Sequence, residues 1–156
     1  MHAKKILVAI CLSCAIAMGA DIAAEKRDGE SLIPLKAGED PRGEVSYGLF
    51  CITSASQAMS DAPTGGELIL ILRNVGAKFI DMDHFTVSLR DGQGKDIKMF
   101  LRSAPGGLAN GDAEIIHLGV KNPKDATTPW TLHFNSNPKV AVPFELTIDE
   151  ILVAKK

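Results

Sequence analysis

The composition of this 156-residue chain is typical of a globular protein, because 46% of the residues are hydrophobic and 23% are charged. Such a chain can bury a core and is not expected to be disordered. The formal net charge is −2 and the sequence contains no basic stripe. Since a nucleic-acid-binding domain would carry such a stripe, nucleic acid is not expected as a partner.

The first twenty residues have the pattern of a secretory signal peptide. Lys4 and Lys5 precede an uninterrupted apolar run from Ile6 to Met18, and small residues close the run near Ala20. The run is shorter than the ~20 apolar residues that a transmembrane helix needs. Residues 1–20 are therefore predicted to be a cleaved signal peptide, and the mature protein to be secreted or periplasmic with no transmembrane segment.

Cleavage near Ala20 would remove two of the three cysteines. Lipidation at Cys11 or Cys14 is an alternative, but apolar residues continue past both positions. Cys51 would then be the only cysteine left, so no intramolecular disulfide is expected. Cys51 belongs to an alternating apolar run, which predicts a core-facing thiol and not a catalytic thiolate.

Residues 21–44 are rich in charge, Gly and Pro, and are predicted to form an exposed N-terminal arm that can add one edge strand. Residues 45–156 are predicted to form a single β domain. Apolar and polar residues alternate there with period two, and the alternating runs are separated by turn-forming residues. Seven runs are predicted to be strands, and one of them, ELILILRNV, is apolar on both faces: VSYGLFCIT, ELILILRNV, FTVSLR, DIKMFLR, EIIHLGV, WTLHF and FELTIDEILV. They predict two packed antiparallel sheets.

The stretch LILILRNVGAKFIDMDHFTVSLRDGQGKDI, residues 68–97, resembles the strand, bend, strand, turn, strand unit of exported bacterial immunoglobulin-like domains. The resemblance implies an immunoglobulin-like antiparallel β-sandwich of about seven strands, and it implies a fold and not an activity. The chain departs from antibody-type domains, because it has no Cys pair in this region and its only Trp, Trp130, comes late in the chain.

Within this stretch, the group Asp81, Asp83 and His84 has two interpretations. It offers oxygen and nitrogen ligands for a metal, or it is a polar connection between strands in which Met82 fills the end of the sandwich.

The histidines extend the metal hypothesis. His84, His117 and His133 all fall on the outward parity of predicted strands. If those strands are neighbours in one sheet, the three imidazoles and Asp83 would form a surface site for zinc or copper. The alternative is that outward strand positions simply tolerate histidine.

Other motifs favour structure or binding over catalysis. Asp91–Asp96, DGQGKD, lacks the ligands of a calcium loop and is predicted to be a hairpin turn. No nucleophile elbow, phosphate loop, His-Glu-x-x-His or mature-chain Cys-x-x-Cys motif is present.

Two regions are candidates for binding. Leu68–Leu72 is apolar on both faces, so Ile69 and Ile71 on the outer face need a cover. The cover can be a partner, the N-terminal arm, a second subunit or a neighbouring loop. Alternatively, a bulge breaks the register of the strand there. Arg102–Glu114 is predicted to be a long recognition loop at one end of the sandwich.

The sequence therefore predicts an exported, non-enzymatic binding or accessory module that contacts a protein or glycan partner through its sandwich-end loops or a sheet face. Two alternatives remain open, which are a small metal-binding protein with a surface histidine cluster and an inhibitor of an exported hydrolase.

Overall fold

A computed structural model describes residues 30–54, 67–101, 106–121, 125–140 and 143–153. The regular elements in these ranges are eleven strands: β1 (Glu30–Glu39), β2 (Val45–Ser54), β3 (Glu67–Asn74), β4 (Ile80–Asp81), β5 (Thr86–Arg90), β6 (Asp96–Ile97), β7 (Met99–Leu101), β8 (Gly107–Leu108), β9 (Ala113–Val120), β10 (Trp130–Asn135) and β11 (Glu145–Ile151). All paired strands are antiparallel. The prediction of an all-β chain with antiparallel sheets is confirmed, whereas the predicted signal peptide lies outside the described residues.

Three sheets contain these strands. The largest has the order β1-β2-β3-β9-β7, the second has the order β11-β10-β5-β6, and β4 and β8 form a short pair. The two larger sheets share one core, because alternate residues of each contribute to the same buried cluster. The five-stranded sheet supplies side chains such as Leu49, Leu70 and Ile116, and the four-stranded sheet supplies Trp130 and Leu132.

The predicted strand DIKMFLR is divided between the two large sheets. Asp96–Ile97 forms β6 and pairs with β5, whereas Met99–Leu101 forms β7 and pairs with β9. Lys98 lies between them, and its carbonyl accepts a 2.8 Å hydrogen bond from the backbone N–H of Lys121. The chain therefore changes sheets at Lys98, and the described part holds more than the seven predicted strands.

The N-terminal arm contributes β1, which is the edge strand that the sequence allowed. The β1–β2 register shifts between Pro34 and Lys36, so Leu35 is an extra residue that packs against the core. A second irregularity occurs in β11, where Glu150 has a positive φ of 51°. The Lys36 Nζ and Glu150 Oε2 atoms are 3.8 Å apart, so a partly exposed ion pair joins β1 to β11.

Four turns are stabilised by buried polar side chains. Each side chain accepts a hydrogen bond from a backbone N–H, and one of them also donates to backbone carbonyls. They are Asp40, Asn74, Asp91 and Ser136. Each turn is thus held by a hydrogen-bonded polar group that lies beside the core.

Asp91 begins the turn that was predicted at DGQGKD. Its Oδ1 accepts hydrogen bonds of 2.9 Å from the backbone N–H groups of Gln93 and Lys95, and its Oδ2 accepts one of 3.4 Å from Thr127. Gly94 adopts a positive φ of 78°, which glycine tolerates without strain. Desolvation by itself would raise the pKa of Asp91, but the hydrogen bonds from Lys95, Gln93 and Thr127 outweigh it, and the pKa is lowered.

This lowered pKa gives a pH-dependent contribution to stability. The contribution is fully present above the unfolded-state pKa of about 3.9 and is lost as the pH falls through the lower folded-state pKa. We expect Asp91→Asn to lower the Tm at pH 7, and we expect this Tm difference from the wild type to shrink at acid pH, where Asp91 itself is protonated. Thermal unfolding at several pH values measures both effects. Asp96→Asn at the start of β6 is the control, because the Asp96 carboxylate is exposed and pairs with the Arg90 side chain. A pH-independent Tm difference for Asp91→Asn would contradict the prediction.

Candidate functional site

The structure does not bring the three predicted metal-binding histidines together. His117 is in β9 of the five-stranded sheet and His133 is in β10 of the four-stranded sheet. Both point away from the shared core, as predicted, so they lie on opposite sides of the molecule. The described ranges contain no group of three His, Cys, Asp or Glu side chains that could hold a metal ion. The metal-site hypothesis required the histidines to lie on neighbouring strands of one sheet, and the strands of His117 and His133 belong to different sheets.

The Asp81–His84 segment is a polar connection between β4 and β5. The Asp81 Oδ1 atom accepts a 2.8 Å hydrogen bond from the backbone N–H of Asp83, and His84 has a φ of 56°. The side chains of Asp83 and His84 are exposed and lie 3.3 Å apart. Met82 is fully buried in the shared core, as the structural interpretation predicted. This segment is therefore a turn that positions Met82.

Cys51 faces the core, as predicted. It is 1% exposed. Desolvation, with a smaller contribution from the negative charge of Glu67, raises its pKa to about 12. A thiol of this kind is not a nucleophile at neutral pH, because the thiolate is the reactive form.

We expect Cys51 to resist alkylation in the folded protein. In a chain with Cys11→Ser and Cys14→Ser, Cys51 is the only thiol, and iodoacetamide at pH 8 should modify it only after unfolding. Mass spectrometry of native and denatured samples measures the modification. Ser88→Cys on the exposed face of β5 provides a thiol that should react in the native state, and rapid native modification of Cys51 would show that its strand is misplaced.

A shallow cavity of about 200 Å³ lies beside the β5–β6 turn. Its lining consists of Asp91, Lys95, Asp96, Ile97, Lys98, Lys121, Asp125 and Ala126. This volume is below the ~300–1,000 Å³ that is usual for small-molecule sites. The one buried carboxylate in the lining, Asp91, already accepts backbone hydrogen bonds. The cavity therefore provides no convergent set of free polar groups.

The outer face of the five-stranded sheet, which points away from the shared core, is the most distinctive surface of the described chain. Antiparallel pairing places the outward side chains of β2, β3 and β9 in four rows across the sheet. The rows are Ile52, Glu67 and Gly119; Phe50, Ile69 and His117; Gly48, Ile71 and Ile115; and Ser46, Arg73 and Ala113. In β7, Phe100 continues the first row, and its ring lies against Gly119. The centre of the face is apolar, and its charged groups lie at the two ends of β3.

The apolar centre of the outer face is buried. Phe50, Ile69 and Ile71 are 3%, 1% and 0% exposed and form a cluster separate from the shared core, with Ile52 and Ile115 packed against it. Within the described residues, the strands next to β3 are β2 and β9, which lie beside it and not over it. An antiparallel sheet with one face on the core commonly exposes the other. Both faces of β3 are buried, and its register with β2 and β9 is continuous, so the bulge that the sequence left open does not occur in these strands.

Polar groups border this apolar centre. The Nδ1 atom of His117 lies 3.4 Å from Oε1 of Glu67, and both side chains are about three-quarters buried. Arg73 lies at the opposite end of β3. Ser46, in the same row as Arg73, is 2% exposed, and its hydroxyl forms no hydrogen bond in the structure described. The contact between Glu67 and His117 was not predicted from the sequence. The two residues are diagonal neighbours on adjacent strands, so their contact depends on the β3–β9 register.

A second ordered surface is the loop end of the sandwich near Asn74. Asn74 is fully buried, and its Nδ2 donates hydrogen bonds to the carbonyls of Lys78 (2.6 Å) and Leu108 (3.0 Å). Its Oδ1 accepts one from the N–H of Gly76 (2.9 Å). These bonds tie the bend after β3 to β8. Val75 and Phe79 on this bend are exposed, and the Phe79 ring lies against Gly107.

The predicted recognition loop Arg102–Glu114 differs from the structure in its described part. Gly107–Leu108 forms β8, which pairs with β4, and Leu108 is fully buried. A turn follows in which Gly111 N–H donates to the carbonyl of Asn74 and Asn74 N–H donates to the carbonyl of Asp112. The segment from residue 106 onward is therefore fixed to the bend after β3, and residues 102–105 lie outside the described ranges.

In the described residues there is no helical segment with the length and apolar character needed to cross a bilayer. Comparison with protein-family models, with curated proteins and with solved structures finds no match for this chain.

Proposed function

We propose that this protein is an exported, non-enzymatic binding or accessory module with an immunoglobulin-like architecture, and that the outer face of its five-stranded sheet is its binding surface. The proposal depends chiefly on one observation, which is that Phe50, Ile69 and Ile71 are buried on a face over which no described strand lies. Apolar side chains on the outer side of a sheet are typical of a face that takes part in an interaction. The predicted signal peptide supports export.

The arrangement of charges on the outer face suits a protein partner. Its apolar centre is bordered by Glu67 and His117 at one end of β3 and by Arg73 at the other. Protein interfaces commonly combine an apolar centre with a polar rim that determines the orientation of the partner. A glycan site would instead present exposed aromatic rings beside several hydrogen-bonding groups, whereas of the two described rings on this face Phe50 is buried at the centre and Phe100 lies against Gly119 in β9.

Site-specific photo-crosslinking in the organism's own cells tests the proposal. A benzophenone amino acid at Ile115, which is partly buried on the outer face, should give a discrete crosslinked product with the exported chain. The same amino acid at Thr131 is the control, because Thr131 alternates with the buried residues Trp130 and Leu132 and so lies on the outer side of the other sheet. Equal products from both positions, or none from Ile115, would overturn the proposal.

The loop end near Asn74 supports a second candidate, an inhibitor-like contact with an exported enzyme. Phe79 is 59% exposed and Val75 is 47% exposed on a bend that side-chain hydrogen bonds hold in place. Apolar tips on a pre-organised loop can enter a partner's cleft with little further loss of conformational entropy. A crosslink from Phe79 and none from Ile115 would favour this candidate.

A further inference from the structure

We propose that Asn110 is a site of spontaneous deamidation and that the loop end near Asn74 controls the rate of this reaction. Deamidation converts the side-chain amide of Asn110 into a carboxylate and so removes the contact that this amide makes with the bend after β3. Neither the reaction nor its consequence involves the outer face of the five-stranded sheet.

Asn110 and Gly111 form the only Asn-Gly pair in the sequence, and both are exposed in the turn between β8 and β9. The N–H of Asp112 closes this turn with a 3.0 Å hydrogen bond to the carbonyl of Ala109. Gly111 has a φ of 83°, which the third residue of a type II turn needs and which glycine adopts without strain. Because glycine has no Cβ to shield its backbone nitrogen, Asn110 is the asparagine of this chain that is most open to intramolecular attack.

The reaction consumes one water molecule and releases ammonia. The backbone nitrogen of Gly111 attacks Cγ of Asn110, the Cγ–Nδ2 bond breaks, and the amide nitrogen leaves as ammonia with the proton that the backbone nitrogen has lost. The product is a cyclic succinimide that contains this backbone nitrogen. Water then adds to one of the two carbonyl carbons of the ring and breaks its bond to the nitrogen. One opening gives aspartate, and the other gives isoaspartate, in which the main chain passes through the former side chain.

The folded loop end restrains both nitrogen atoms that react. The N–H of Gly111 donates a 2.8 Å hydrogen bond to the carbonyl of Asn74, so this nitrogen is held away from Cγ and keeps its proton. The Nδ2 of Asn110 donates to the carbonyl of Gly76. Because both acceptors belong to the bend after β3, formation of the succinimide requires the turn and the bend to separate. Local openings of this kind occur in native proteins at a lower free energy than global unfolding.

Deamidation also weakens the closed arrangement of the bend. A carboxylate at residue 110 has no proton to donate, so the carbonyl of Gly76 loses a donor and faces a negative charge. Isoaspartate instead lengthens the main chain of the turn, next to the 3.0 Å hydrogen bond from the N–H of Asn74 to the carbonyl of Asp112. Opening therefore permits the reaction and the product favours opening, which makes Asn110 a one-way switch for the bend that carries the exposed Val75.

Peptide mapping by mass spectrometry, with isoaspartate separated by chromatography, tests whether the fold controls the reaction. The full chain is incubated at pH 8, either native or unfolded in guanidinium chloride, and the modified fraction of Asn110 is followed over time. We expect deamidation of Asn110 to be at least about tenfold slower in the native chain, since only the open fraction reacts. Equal rates in the two samples would overturn the control by the loop end, and an unmodified Asn110 in the unfolded chain would overturn the site itself.

Amide hydrogen exchange of Asn110→Asp tests the consequence, because this substitution reproduces the aspartate product. We expect exchange in residues 74–79 to be faster than in the wild type by about threefold or more, as the loss of one hydrogen bond implies, and exchange in β10 to be unchanged. Asn137→Asp is the matched control, since its exposed Oδ1 remains an acceptor for the N–H of Lys139. Unchanged exchange in residues 74–79, or an equal increase in Asn137→Asp, would overturn the switch.

Discussion

Asn74→Asp should destabilise the protein by about 3 kcal/mol or more, since a lost hydrogen bond to a buried group costs about 1–3 kcal/mol and a buried charge costs more. The substitution removes the two N–H donors that satisfy the carbonyls of Lys78 and Leu108. It also places a carboxylate against these two oxygen atoms at a site with 0% exposure. Urea unfolding followed by circular dichroism measures the loss.

A matched substitution separates the donor role of Asn74 from a general effect of added charge. Asn137 has the same side chain in an exposed turn, but there its Oδ1 accepts a 3.0 Å hydrogen bond from Lys139 N–H. Aspartate retains this acceptor, so Asn137→Asp should change stability by less than about 0.5 kcal/mol. Similar losses for the two variants would show that Asn74 does not hold the loop end together.

Leu70→Ala should cost about 2–5 kcal/mol, because the change removes buried methyl groups and leaves a cavity. Leu70 is 0% exposed, lies at the centre of β3 and faces the core shared by the two large sheets. The m-value should stay unchanged if the variant remains two-state. The same urea titration measures the free energy of unfolding and the m-value together.

Leu152→Ala is the control for Leu70→Ala, because it deletes the same atoms from a side chain that is 68% exposed. Its expected cost is below about 0.5 kcal/mol. A loss below about 1 kcal/mol for Leu70→Ala would mean that the inward parity of β3 is wrong, since no fully buried leucine is expected to be so tolerant.

The direction of side chains could be predicted from the sequence because alternation has a fixed period of two. Trp130, Leu132 and Phe134 face the core, as the pattern predicted. Phe85 faces the core too but is only half-buried, with its ring stacked on that of Phe134 at 4.7 Å. It lies just before β5 begins, where the sheet no longer encloses it.

The pairing of strands could not be predicted in the same way, and this is why the structure does not bring the predicted metal-binding histidines together. Outward parity was correct for His117 and His133, yet parity does not say which sheet contains a strand. Their strands joined different sheets. Likewise, DIKMFLR alternates without interruption, so nothing in its local pattern indicates that hydrogen bonding passes from β5 to β9 at Lys98.

Some of the missed polar residues did have a readable signal. Asn74 in LRNVG and Asp91 in LRDGQG each follow a Leu-Arg pair and each continue the inward parity of their strand. A short polar side chain at an inward position, directly before a turn, predicts a buried group that hydrogen-bonds the turn backbone. The contact of Glu67 with His117 had no such signal, because it depends on the register between strands 50 residues apart in sequence.

The irregular course of β1 bears on how the folded chain avoids polymerisation. β1 is ten residues long and forms one edge of the five-stranded sheet, and an exposed edge of this length is a template for adding strands from other molecules. Pro34 has no N–H to offer such a strand, and the extra residue Leu35 interrupts the repeat that a docking strand would need. Lys36 adds a charge at the same point. An incoming strand would therefore lose its regular ladder midway along β1, which restricts open-ended, edge-to-edge growth.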